Sequence, residues 1–306
     1  MINRLLIRIK VLQVLYNYYL TSGMGVSGAI SLLRYALDQS YQLYLFLTGL
    51  PYDLSEVARI RLDKEQDKYV KDEDIIKLLK HLADNPLTEI IASDNGYLEK
   101  RSSTIINSNR VDDYLNQVLQ KAINQRDELN AISWNHLPEV RKAWRKFYGE
   151  EFLGSDIFYD IVEDSNTFRN DDIDIVFTFV TKAFNGICRD KPYSEQLKPA
   201  YSNEADMDFG PTLIEQAVVN GEEYRELISK YFKNWDKERT SEIDYIIMQL
   251  AVTEAIHFPQ ISTKVTINEY LNLAHFYSSE SSYFFINGIL HELFQELKSD
   301  GIIIGN

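Results

Sequence analysis

The chain has 306 residues, enough to bury a full core as one large domain or two ordinary ones. Its 12% aromatic content, with twenty tyrosines, and its scarcity of proline (seven) and glycine (thirteen) exclude a disordered polymer and favour an all-α protein. A net charge of -14 argues against a protein that coats nucleic acid generally. The single cysteine, Cys188, rules out an internal disulfide and a CxxC pair, which suits a reducing cytoplasm.

The charge is unevenly spread. Residues 1–50 hold Arg4, Arg8, Lys10 and Arg34 against Asp38 alone, a local +3 that leaves -17 on the rest of the chain. Within this end, residues 5–20 are apolar enough to raise the question of a leader or a membrane anchor. Arg8, Lys10, Gln13 and Asn17 interrupt the run and no small-residue cleavage site follows, whereas a span needs about 20 mostly apolar residues. The segment therefore reads as a buried helix, with Leu5, Ile9, Leu12, Tyr16 and Tyr19 on one stripe and Leu6, Val11, Val14 and Leu15 widening it. Asn3, Lys10, Gln13 and Asn17 form a polar strip, and Arg4 and Arg8 lie one turn apart on another side. Two readings stand for these charges: they face water, or Arg8 and its neighbours touch a phosphate backbone.

Helices are expected over residues 27–49, 54–83, 111–129, 155–166 and 172–187, and a loop or hinge over 84–110, where DNP, SDNG and NSN cluster. In residues 138–153, Arg141, Lys142, Arg145 and Lys146 interleave with Trp144, Phe147 and Tyr148. Such a segment either binds single-stranded nucleic acid by charge and stacking, or is an amphipathic helix with aromatics in the core. The acidic, proline-containing stretch 190–208 is the candidate boundary. From Pro211 onward, four helices with short connections give the layout of a bundle: one through Leu213 to Tyr231, one capped by Ser241 with Asp244, and two within residues 264–297.

That last pair carries the most specific signal. Thr266 and Glu269 have capping-box spacing, which places a helix start at Thr266. The next helix is expected to begin at Ser279 with Glu280 in its first turn, and Ile286, Ile289, Leu290, Leu293, Phe294 and Leu297 recur at helical spacing. Asn287-Gly288 falls inside that period, so the glycine is expected to permit a close approach by another helix or a ligand rather than a turn.

No catalytic chemistry is legible. The five histidines are scattered without a second ligand at metal spacing. His291-Glu292 fails as a zincin motif because Phe294 and Gln295 follow, and GxSxG and GxxxxGK[ST] are absent. The chain reads as a non-enzyme with no cofactor and no metal.

The order and spacing of Lys264, Val265, Ile267, Asn268, Glu269, Leu273, Ala274, Ser282, Phe285, Ile286, Asn287, Gly288 and Leu290 resemble the C-terminal signature of the NusB transcription antitermination family. Arg8, Leu12, Gln13, Leu15, Tyr16 and Leu20 resemble its first helix. Leu213, Val218, Tyr231, Ile246, Leu250, Ala251 and Glu254 resemble its central helices. The resemblance implies an all-α, NusB-like helical bundle formed by residues 1–22 and 206–306, with residues 23–205 as an additional helical insertion. It further implies a cytoplasmic, non-membrane factor that binds boxA-type single-stranded RNA with a NusE-type small-subunit ribosomal protein in the RNA polymerase antitermination complex, during rRNA transcription. Carried over by position, Arg8, Tyr16, Phe285 and Asn287 would lie at the RNA face, with Arg4, Lys10 and Lys264 as further candidates. For Tyr16 and Phe285 a purely core role is the other reading.

The sequence departs from the family's arginine-rich N-terminus, and Ser281, Ser282, Tyr283 and Phe284 stand where an Asp-Ser-His-Lys run is usual. Since affinity follows the number of phosphates neutralised, RNA binding is expected to be weak or to depend on a partner, with the segment from Arg141 to Lys146 as a compensating contact if the insertion folds over the same face. The rival readings are a protein-only adaptor that keeps the fold without the RNA face, and the NusB-like domain of an rRNA cytosine methyltransferase. For the latter, no glycine-rich cofactor loop or Cys-Pro pair follows the domain.

Overall fold

The computed structural model describes residues 1–104, 106, 108–232 and 240–303. Parts of the expected 84–110 loop (Ile105 and Asn107) and of the expected 206–306 domain (residues 233–239 and 304–306) lie outside the described residues. Among the described residues, the chain is helical without strands. In order it forms α1 (Arg4–Leu20), α2 (Val26–Thr48), α3 (Leu50–Gln66), α4 (Glu73–Ala83), α5 (Pro86–Ala92), α6 (Asn95–Ser102), α7 (Ser108–Asn124), α8 (Arg126–Leu129), α9 (Leu137–Phe147), α10 (Asp156–Ser165), α11 (Ile173–Gly186) and α12 (Tyr193–Gln196). It continues with α13 (Glu204–Val219), α14 (Gly221–Ser229), α15 (Glu242–His257), α16 (Thr263–Tyr277) and α17 (Glu280–Ser299). Two compact units emerge, one of Met1 and residues 38–202, the other of residues 2–37 and 203–306. The division falls inside α2, between Leu37 and Asp38.

In the unit of residues 38–202, the C-terminus of α2 is buried, and a helix leaves its last carbonyls without partners. Here each finds one. Tyr97 Oη donates to Leu45 O at 2.8 Å, Arg101 Nη2 to Phe46 O at 3.2 Å, and Tyr193 Oη to Thr48 O at 2.7 Å, while Tyr148 Oη donates to Leu47 O. Burial pushes the pKa of Tyr97, Tyr148 and Tyr193 up, so each keeps the proton it donates. Around Tyr148 the rings of Phe152, Phe177 and Phe184 stand 5.4, 5.6 and 5.3 Å away.

Two expectations change here. The single helix over 54–83 is α3 and α4, because Asp72 accepts from the Asp74 and Ile75 amides and starts a new helix. The loop over 84–110 contains α5 and α6, because Asn85 and Asp94, turn formers by composition, serve as N-caps. In α9 the core reading describes the aromatics: Trp144, Phe147 and Tyr148 are buried, and Arg141 donates to Asn185 O and Ile187 O at the end of α11.

In the unit of residues 2–37 and 203–306, α15 is buried continuously from Ile246 to Ala255 and packs against α1, α13, α14, α16 and α17. A helix apolar on all sides belongs in the middle of a bundle. Gly210 marks a close approach: a Cβ there would stand 2.8 Å from Ile7 Cγ2 and 2.9 Å from Leu33 Cδ2. Pro211 does not open the bundle, since α13 begins at Glu204 under an Asn203 cap and carries Pro211 inside it. The expected helix from Leu213 to Tyr231 breaks at Asn220, so that among the described residues five helices rather than four follow the boundary stretch.

The capping box at Thr266 is also replaced. The N-cap of α16 is Ser262, which accepts from Val265 N at 3.4 Å, and the helix starts at Thr263. Thr266 and Glu269, one turn apart on one face, turn inward instead. Ser279 caps α17 as expected, accepting from Ser282 N at 3.1 Å. Ser241 caps α15 likewise, while the Asp244 carboxylate ties that helix start to Ser278 and Ser282. At Gly288 a Cβ would meet nothing within 4 Å, so no helix among the described residues makes the expected close approach, and the position lies on an open face of α17.

Candidate nucleic-acid interface

α1 projects its charges inward. Arg8 is 3% exposed, and its Nε and Nη2 donate to the two carboxylate oxygens of Glu254 at 2.7 and 2.9 Å, with Nη1 at 3.2 Å from Glu269 Oε2. Glu254 also accepts from Thr266 Oγ1 at 2.9 Å and Tyr270 Oη at 3.2 Å. Burial opposes the charge on Arg8, but the hydrogen bonds and charge of Glu254, with those of Tyr270 and Glu269, outweigh it and hold its pKa above the ordinary value. The two-pronged geometry is the strong form of a carboxylate–guanidinium pair, and it fastens α1 to α15 and α16. Lys10 is fully buried, its Nζ donating to Gln13 Oε1 at 3.2 Å. Arg4 is half-exposed, pairs with Asp206 at 3.2 Å and lies 5.3 Å over the Phe209 ring.

The remaining candidates lie elsewhere on the unit. Tyr16 is 39% exposed on the outer side of α1, one turn beyond Gln13, whose Nε2 reaches Tyr277 Oη at 3.5 Å. Tyr277 is the last residue of α16, so this side of α1 meets the α16–α17 connection. There Phe276 is 80% and Phe284 66% exposed. Phe285 is half-buried, its ring 5.3 Å from Phe232, which in turn is 5.3 Å from Tyr245. Asn287 is half-exposed one turn deeper into α17. A stacked cation stands by Tyr245: Arg225 lies 4.0 Å over Tyr19 and 5.6 Å over Tyr245, paired with Glu242. Lys264 is remote from this group, at the other end of α16, about 20 Å along the axis at 1.5 Å per residue.

Large exposed rings beside half-buried ones offer faces for stacking bases, a sequence-tolerant interaction. Phe276 and Phe284 were absent from the sequence expectation, although each had a signal. Phe276 falls off the buried stripe of Ile267, Tyr270, Leu271 and Ala274, and Phe284 falls off that of Ile286, Ile289 and Leu290. Among the described residues no group of three His, Cys, Asp or Glu side chains is placed to hold a metal ion, and no helix is long and apolar enough to cross a membrane.

Residues 169–295 match the family model described as NusB family. Relatives named transcription antitermination protein NusB are similar over part of the chain. The one from Acetivibrio thermocellus is 36% identical over 102 residues, 33% of this chain and 70% of the relative. That from Chloroherpeton thalassium is 33% identical over 96 residues, 31% of this chain and 46% of the relative. That from Natranaerobius thermophilus is 35% identical over 86 residues, 28% and 62% respectively. The chain thus spans between about half and two thirds of the length of the latter two relatives. No solved structure matches it.

Proposed function

The chain belongs to the NusB family, and we propose that it serves as a transcription antitermination factor, binding boxA-type single-stranded RNA together with a NusE-type small-subunit ribosomal protein in the RNA polymerase antitermination complex. The observation that carries this reading is the exposure of Tyr16, Phe276 and Phe284 beside the half-buried Phe285. Bases stack on Tyr16, Phe276 and Phe284, and Asn287 offers an amide to a base edge. Arg8 acts as a positioning residue: it makes no phosphate contact and instead holds α1 so that Tyr16 stands beside the α16–α17 connection. Lys10 is likewise interior, and Arg4, only partly engaged by Asp206, supplies a peripheral positive charge.

Recognition built on stacking with few phosphate contacts has a shallow salt dependence. A polarisation titration of labelled boxA-type RNA with the full chain and the NusE-type protein at low salt tests the reading. Binding that Tyr16→Ala and Phe284→Ala each weaken supports it; absence of binding by the mixture contradicts it.

A further inference from the structure

A second polar feature occupies the far end of α16 from the aromatic group. The first turns of α16 and the last turns of α17 enclose a cleft of about 360 Å³. Its floor is apolar, from Ile267 and Phe294, both buried. Its walls carry Lys264, His291 and Lys298, with the amides of Asn268 and Gln295, and none of the residues lining it is acidic. In a chain with 46 acidic against 32 basic residues this segregation needs a cause.

Helix geometry supplies one. His291, Gln295 and Lys298 share one face of α17 at spacings of four and three. Glu292 and Glu296 lie on another face, where Glu296 accepts from Tyr231 at 2.5 Å. On α16, Glu269 is turned to Arg8. Lys264, His291 and Lys298 are exposed and make no ion pair among the described residues. Thr263, only 4% exposed, lines the same cleft. It sits at the N-terminus of α16, where free amides and the helix dipole favour an anion.

We propose that this cleft binds backbone phosphates of single-stranded RNA that continues along α16 from the aromatic end. The inference rests on the RNA-binding reading given above and extends it to a second, electrostatic contact. Lys264 and Lys298 neutralise phosphates, and Asn268 and Gln295 donate to phosphate or ribose oxygens. The two contacts are separated by about 20 Å along α16, so a short oligonucleotide reaches only one of them.

The test is polarisation binding of the full chain with the NusE-type protein, using boxA-type RNAs of about six and about sixteen nucleotides, over a range of salt. The Lys264→Glu/Lys298→Glu protein is expected to bind the short RNA like the unmodified chain. It is expected to bind the long RNA more weakly, by about fivefold per lysine at 0.1 M salt, with a log–log salt slope reduced by about 1.4, the single-strand value for two phosphates. Both lysines are exposed, and an unchanged melting curve separates this effect from misfolding. Equal binding of the long RNA by both proteins overturns the cleft while leaving the RNA-binding reading intact, and so does equal weakening for both RNAs. Failure of the unmodified chain to bind either RNA overturns the reading and the cleft together.

Discussion

Arg8 and Glu254, 246 positions apart, form a two-point ion pair in which neither side chain is more than 4% exposed. The pair joins α1 to the later helices of the bundle, with Thr266 and Tyr270 completing the set of donors to Glu254. Removing one partner leaves the other charged and buried. Arg8→Ala is therefore expected to lower unfolding free energy by about 3–5 kcal/mol, whereas Arg8→Met combined with Glu254→Leu costs less than the sum of the single changes. Chemical denaturation of Arg8→Ala and of the four proteins of the Arg8→Met/Glu254→Leu cycle measures this; a loss below about 1 kcal/mol for Arg8→Ala would place the pair in effective contact with water.

Gly49, between α2 and α3, is set against Arg101: a Cβ would lie 2.0 Å from Arg101 Nε and 2.5 Å from its Cδ. Glycine to alanine at an ordinary backbone angle usually stabilises by about 0.4–1 kcal/mol. Gly49→Ala is expected to reverse that sign and cost about 1–3 kcal/mol, because Arg101 must leave Asp53 and Phe46 O. A thermal melt decides it, and a raised midpoint would show that Arg101 moves aside freely.

His81 and His257 each have a pKa below the ordinary histidine value. Burial is the main cause in both, helped at His81 by the charge of Lys77. Below an unfolded pKa of about 6.5 the unfolded chain then binds protons that the folded chain does not. The stability these sites contribute is present above that pH and is lost as pH falls through the lowered folded values. His81→Gln/His257→Gln is expected to flatten this part of the stability curve. Urea melts between pH 5 and 7.5 measure it, and parallel curves for the two proteins would remove the histidines as its source.

The exposed rings separate binding from stability. Phe276→Ala and Phe284→Ala are expected to leave melting within about 0.5 kcal/mol of the unmodified chain, while each weakens RNA binding by about 1–3 kcal/mol per stacked base. Phe285→Ala is expected to do both, because Phe285 packs on Phe232. Calorimetric melts paired with RNA titrations distinguish these patterns.

Much of this was legible in the sequence where the signal was periodic. The burial of α1 from Leu6 to Leu12 and the Ser279 start of α17 follow from spacing, while the family signature rests on resemblance. Local spacing misled at Thr266 and Glu269, because residues three apart share a helix face whether they cap a terminus or reach into a core. Arg8 carries no mark of its burial: its partner Glu254 is remote in sequence, and only the packing of α1 on α15 brings them together. The Asn and Asp residues of 84–110 favour turns and N-caps alike, so composition alone could not reveal α5 and α6. Phe276 and Phe284 were readable as rings lying off the buried stripes of α16 and α17.

Photocrosslinking of 4-thiouridine-substituted boxA-type RNA to the full chain with the NusE-type protein, followed by mass spectrometry of the joined peptides, most directly tests whether the aromatic end is the RNA face. Crosslinks are expected on the peptides that carry Tyr16 and residues 276–287. Efficient crosslinking confined to α9 or to other parts of residues 38–202 would contradict the assignment and move the RNA site to the other unit.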